Sequence, residues 1–167
     1  VGRLPAVTIN KSGGTLTVTN DLSTAGGFTY TAGTVSWGTS RYFAWDSSQT
    51  ITPGALSFNS VGFSCNGCTF TISGNMAIAG NLDLYSWAAS GTYNTINNGN
   101  LDVSGNVTVS GNAANVSGYI GSAKVRFQSG AAQSIQNVTA TAPSIPWVEQ
   151  NNAATTVTQQ SLTHTSH

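Results

Sequence analysis

Three sets of residues in this chain are of types and spacings that could do chemistry. Cys65 and Cys68 are its only cysteines, and Asn66-Gly67 separates them. Asn-Gly favours a tight turn, which can bring two sulfurs within bonding range. The pair therefore predicts a disulfide-closed turn, with free thiols or a metal or redox site as the alternatives. A structural zinc would need four ligands, and neither His164 nor His167 lies near in sequence. A thioredoxin-type centre would need a strand-to-helix setting. The second set is aromatic: Trp37, Tyr42, Phe43 and Trp45 fall within nine residues, beside Arg41 and Asp46. Trp37, Tyr42 and Trp45 could form a platform that stacks on sugar rings. The competing reading buries Trp37 and Phe43, because aromatics remove the most area from water. The third set is Asn10, Asn106, Asn115 and Asn137, each heading the Asn-X-Ser/Thr acceptor of N-glycosylation.

No other grouping points to a reaction. General acid–base work needs paired carboxylates, and Asp21, Asp46, Asp83 and Asp102 lie far apart in sequence. Asp21, Asp83 and Asp102 read as solvated groups at turns or on outward faces. A Ser-His-Asp arrangement would need a histidine inside the fold, and both histidines fall in the last four residues. Gly13-Gly14 and Gly26-Gly27 lack the strand-to-helix context of a phosphate loop. The expectation is a protein that is not an enzyme and has no catalytic, cofactor or metal site.

Composition narrows the partners. Asp, Glu, Lys and Arg make up 6% of the 167 residues, five of each sign, against roughly a quarter in an average soluble domain. A neutral chain without a basic cluster offers no footprint for a phosphate backbone, so nucleic acid is not expected as a partner. No apolar run is long enough to cross a bilayer as a helix, and membrane insertion is not expected either. Ser, Thr, Asn, Gln and Gly must keep the surface wet, a pattern of secreted fibrous proteins. The chain opens on Val1-Gly2-Arg3 without a basic and apolar leader, so a processed or partial chain is expected.

The elements that would position these residues are strands. In Thr69 to Leu84 every even position from Phe70 onward is apolar or Gly: Phe70, Ile72, Gly74, Met76, Ile78, Gly80, Leu82 and Leu84. A side-chain period of two means a strand with one buried face, and the Gly-Asn steps at 74–75 and 80–81 read as corners. Helix signals are nearly absent. Leu101, Val103, Val107 and Val109 share one parity, which puts Asn106 on the outward face.

The strand-corner-strand unit recurs. Phe70 to Asn81 aligns with Leu16 to Gly27 at an offset of 54 and with Leu101 to Asn112 at 31. Ala6 to Asn10 resembles Ala55 to Asn59 at 49, Phe43 to Ile51 resembles Phe127 to Ile135 at 84, and Leu4 to Thr17 resembles Ile145 to Thr158 at 141. One domain over 1–167 follows, with repeats over 4–54 and 55–144 and a further copy starting at 145–167. The fold class is all-β, with two architectures open. A parallel β-solenoid explains the repeats and low charge, and an antiparallel sandwich or jelly roll explains the one-face alternation and irregular offsets.

Asn10-Lys11-Ser12-Gly13-Gly14-Thr15-Leu16-Thr17-Val18, the Gly-Asn corners, and Val125-Arg126-Phe127 leading to Gln133-Ser134-Ile135 resemble the repeats of very large bacterial and archaeal surface proteins. The resemblance implies a secreted, repetitive, β-rich chain at the cell surface with an adhesive or fibre-forming role. Two functions then stand. One is a structural building block of an extracellular filament, sheath or array, whose partners are copies of itself joined head to tail. The other is a carbohydrate-binding or polysaccharide-processing module, whose partners are glycans.

Overall fold

The computed structural model describes residues 2–87, 91–111, 118–138, 143–151, 157–160 and 163–164. Among them there is no helix, and every strand pairing is parallel. The antiparallel sandwich is thereby excluded. The chain is a parallel β-solenoid with three faces.

The first face carries β1 (Val7–Thr17), β3 (Phe28–Ser36), β5 (Gln49–Thr52), β8 (Thr69–Ile72), β11 (Asn94–Asn97) and β14 (Tyr119–Ile120). A bridge from Gly118 to Ser144 extends it to the pair β17 (Ser144–Ile145) and β20 (Thr163–His164). The second face carries β2 (Leu22–Thr24), β4 (Tyr42–Trp45), β7 (Val61–Cys65), β10 (Leu82–Ser86), β13 (Val107–Gly111), β16 (Gln133–Asn137) and β19 (Val157–Gln160). The third carries β6 (Ser57–Phe58), β9 (Asn75–Ile78), β12 (Asn100–Val103), β15 (Lys124–Phe127) and β18 (Trp147–Gln150). From β5 onward the chain visits the faces in fixed rotation.

Strand alternation builds the core as the parity of Thr69 to Leu84 requires. Phe70, Ile72, Met76, Ile78, Leu82 and Leu84 are all at most 1% exposed, and Gly74 and Gly80 fall at corners outside the strands. Like stacks on like: Val61, Leu82, Val107 and Ile135 follow one another along the second face, and Met76, Leu101, Val125 and Val148 along the third. Each fully buried aliphatic or aromatic side chain contributes roughly 1.5–3 kcal/mol. The first two rungs have no strand on the third face. Trp37 fills that place, 5.3 Å from the Phe58 ring, in a cluster with Phe28 and Tyr42.

The rungs do not follow the sequence offsets. Leu22 lies beside Tyr42, Tyr42 beside Val61, Val61 beside Leu82, Leu82 beside Val107 and Val107 beside Ile135, steps of 20, 19, 21, 25 and 28 residues. Phe70 and Leu101, aligned at 31, stand on different faces, and Leu101 pairs with Met76. What recurs at 84 is a corner glutamine. Gln49 and Gln133 are both buried, and each donates from Nε2 to a carbonyl of the preceding rung, Thr24 O at 3.1 Å and Val103 O at 3.1 Å.

The disulfide between Cys65 and Cys68 is present, at a corner on the core side. Asn94, fully buried on the next rung, holds it. Its Oδ1 accepts from the N–H groups of Gly67 and Cys68 at 2.7 and 3.2 Å, and its Nδ2 donates to Cys65 O and Ser86 Oγ at 3.0 Å each. Removing a partner from a buried polar group costs about 1–3 kcal/mol. Asn94→Ala orphans several at once and should lower the unfolding free energy in urea by about 3 kcal/mol, with the disulfide intact by mass; a loss under about 1 kcal/mol would refute the role given to this side chain.

Candidate functional site

The outward side of the second face has one unusual strand. On β4 the alternation sends Tyr42 and Ala44 into the core and Phe43 and Trp45 outward. On β10 it sends Asp83 and Tyr85 outward, and Trp87 follows with the same parity. Between them, the outward positions of β7 are Gly62 and Ser64. The Phe43 ring lies over Gly62, and the small Ser64 between Trp45 and Tyr85 leaves the floor of a groove of about 530 Å³. Gly62 is required here, because a Cβ at that position would run into the Phe43 ring.

The walls are aromatic and charged. Phe43 lies 5.8 Å from Trp45, Trp45 6.2 Å from Trp87, and Trp87 6.5 Å from Tyr85, all edge-on or tilted. Arg41 sits over Phe43 at 4.7 Å and Arg3 over Trp45 at 5.5 Å. Arg3 also pairs with Asp46. Arg41 grips Asp21 through Nε and Nη2 at 3.2 and 2.8 Å, while its backbone N–H donates to Asp21 Oδ1 at 2.8 Å. On its other side Arg41 Nη1 approaches Asp83 Oδ2 to 3.9 Å.

At the floor, Ser64 is 1% exposed and its Oγ has no hydrogen-bond partner. Trp45 Nε1 is likewise buried and unpartnered. Both side chains line the groove.

The two carboxylates that share Arg41 differ in environment. Burial raises the Asp83 carboxyl above its ordinary pKa, and the charge of Arg41 pulls it only part of the way back. Burial also opposes ionisation of Asp21, but the hydrogen bonds and charge of Arg41 outweigh it and hold that pKa below the usual value.

The sequence-predicted residues separate accordingly. Of the stacking set, Trp45 stands in the groove, but Trp37 is 5% exposed and Tyr42 fully buried, so neither can stack on a ligand. The Tyr42 hydroxyl is held in the core 2.8 Å from Thr24 Oγ1. Phe43, expected in the core, is a groove wall. Of the sequons, Asn10 is exposed on β1 and Asn137 half-buried on β16. Asn106 is exposed, as its outward placement requires, and its Oδ1 accepts from Ser134 N–H at 2.8 Å. Asn115 lies outside the described residues. Asp102, read as solvated, forms a two-pronged pair with Arg126 at 2.6 and 2.7 Å. No group of three or more metal-ligating side chains occurs among the described residues.

Sequence reasoning missed Ser64, Tyr85 and the Asp21-Arg41-Asp83 cluster. A rung of about twenty residues would have brought Asp21 to Arg41, which adjoin through the neighbouring Leu22–Tyr42 pair. Comparisons with protein-family models, curated proteins and solved structures find no match.

The raised pKa of Asp83 has a consequence for stability. The folded state binds this proton more tightly than the unfolded chain, so this group's contribution to stability falls as pH rises from the unfolded to the folded pKa. Above that window the ionised carboxyl is a net cost. Asp83→Asn should therefore raise the urea midpoint at pH 7, with the gain vanishing near pH 3; a variant less stable at pH 7 would contradict the assignment.

Proposed function

We propose that the protein is a non-enzymatic, carbohydrate-binding β-solenoid module of an extracellular surface, with the groove of the second face as its binding site. The observation that carries this reading is the pair of buried polar groups without partners, Ser64 Oγ and Trp45 Nε1, on the groove's floor and wall. A buried hydroxyl or indole N–H left unsatisfied costs about 1–3 kcal/mol, which a ligand hydroxyl would offset. Sugars also suit the walls. The C–H face of a pyranose packs on an aromatic ring while its hydroxyls reach outward, and Trp45 and Tyr85 stand on either side of Ser64. The volume falls within the roughly 300–1,000 Å³ of small-molecule sites.

Binding without turnover is favoured by Arg41. The guanidinium holds Asp21 in a hydrogen-bonded ion pair and keeps its charge 3.9 Å from Asp83, so the two carboxylates are not set up as a free acid and base pair. The disulfide and the nearly uncharged surface suit an extracellular setting.

The second reading, a building block of a filament or array, is favoured by the outer edge of β1. Among the described residues no strand pairs with it, Leu16 on it and Leu4, bridged to Thr24 at the same end of the solenoid, are exposed, and an unpaired edge templates strand addition. A second copy stacked there would extend the ladder head to tail.

On a glycan array, at least one oligosaccharide should bind the wild-type protein and lose ten-fold or more in affinity with Trp45→Ala; an array with no binder would refute the carbohydrate reading. In sedimentation velocity, the array reading expects the weight-average coefficient to rise with concentration. A concentration-independent monomer would exclude it.

A further inference from the structure

The proposal here rests on the carbohydrate reading and names the class of sugar. We infer that the groove selects neutral hexopyranosides over uronic and sialic acids, with Asp83 as the group that reads the ring hydroxyls.

The charges around the groove are unequally committed. Both arginines are already ion-paired: Arg3 donates from Nη1 to Asp46, and Arg41 donates from Nε and Nη2 to Asp21 while its plane lies on Phe43. Guanidinium is the group that best recognises a carboxylate, because its two parallel N–H donors match the two oxygens. Here those donors already face a carboxylate of the protein. An acidic sugar would meet no unpaired cation in the groove, since Arg3 and Arg41 each already face a carboxylate of the protein, and would place its charge beside Asp83, where a like-charge contact is unfavourable.

Asp83 is the reverse case. Its only charged partner among the described residues is Arg41 at 3.9 Å, beyond hydrogen-bond reach, and no hydrogen bond to its carboxylate occurs among them. A carboxylate can accept up to about four hydrogen bonds. Its flanking outward neighbours across the ladder are Gly62 on β7 and Thr108 on β13, neither of which competes for it with a charge. Its side chain is 35% exposed, so it is open to an incoming ligand, while partial burial raises its pKa.

Two adjacent hydroxyls of a hexose are a matched pair of donors for such a carboxylate. Asp83 and Tyr85 are two positions apart on the same side of β10, and Tyr85 pairs across with Ser64. A ring packed on Trp45 and Tyr85 above Ser64 can therefore turn one edge to Asp83. The opposite edge then faces the unpartnered Ser64 Oγ and Trp45 Nε1. The charge-assisted bonds to Asp83 supply the selective part of the contact, and the stacking supplies the part common to all pyranoses.

The test titrates tryptophan fluorescence at neutral pH and fixed ionic strength with two sets of probes. The neutral set is cellohexaose, maltohexaose and mannohexaose, and the acidic set is hexagalacturonate, hexaguluronate and sialyllactose. At least one neutral sugar should bind, with every acidic sugar at least ten-fold weaker, and Asp83→Asn should weaken the neutral sugar ten-fold or more while circular dichroism stays unchanged. Acidic sugars that bind as tightly as the best neutral one, with Trp45→Ala abolishing both, would leave the carbohydrate reading in place and overturn the neutral selectivity. An unchanged neutral affinity in Asp83→Asn would overturn the role of Asp83. Absence of binding by either set would overturn the carbohydrate reading itself. The selectivity is read on the wild-type protein alone, so it stands or falls even if Asp83→Asn does not fold.

Discussion

Each rung of this chain has to bring its backbone back to within hydrogen-bonding distance of the rung before it, about 4.8 Å away, and everything else in the structure is subject to that return. A parallel ladder gives no freedom to shift one strand without shifting its neighbours on both sides. Register is then enforced by side chains as well as backbone. Gln49, Gln133 and Asn94 reach from inside the solenoid to a neighbouring rung's peptide groups. At the outside corners Asn81 accepts from Asn106 N–H at 2.9 Å, and Asn106 in turn from Ser134 N–H. These amides do locally what salt bridges would do at longer range, which is why 6% charge suffices.

The few charges are used the same way. Arg41 with Asp21, Arg126 with Asp102 and Lys124 with Glu149 all pair groups 20 to 25 residues apart, one rung to the next. Exposed pairs of this kind contribute little each, about 0–1 kcal/mol. Their value here is specificity: a slip by one rung or one residue would separate them. The groove is a by-product of the same arithmetic, since Ser64 falls in register between Trp45 and Tyr85, and Gly62 between Phe43 and Asp83 makes room for the Phe43 ring.

The fold class was legible because alternation in a strand is written directly into residue order. Phe70 to Leu84 gives its buried face by parity alone, and within the strands the burial follows it, with Gly74 and Gly80 at the corners. The rung length was not legible. A three-faced solenoid turns a corner three times per rung with the same Gly, Asn and Ser chemistry, so corners on different faces resemble each other as closely as equivalent corners do. Phe43 and Phe127 match in sequence yet lie on the second and third faces. The site suffered from both effects. Tyr42 and Trp45 were grouped by nearness, whereas strand parity separates them; Asp21, Arg41 and Asp83 were kept apart by distance, whereas stacking unites them. Ser64 carries no sequence signal, because its importance comes from the size of its neighbours on adjacent rungs.

The carbohydrate site depends on whether the unpartnered groups of the groove are receptive to a ligand, and nuclear magnetic resonance of the tryptophan indoles reads this directly. Trp37 and Trp45 both bury an indole N–H without a partner, but Trp37 does so in the core against Phe58 and Trp45 on the groove wall. Titration with a neutral oligosaccharide should move the Trp45 Nε1–H resonance downfield as it gains a hydrogen bond and leave that of Trp37 in place. A sugar that binds while the Trp45 resonance stays fixed, or that shifts only Trp147 at the far end of the solenoid, would contradict it.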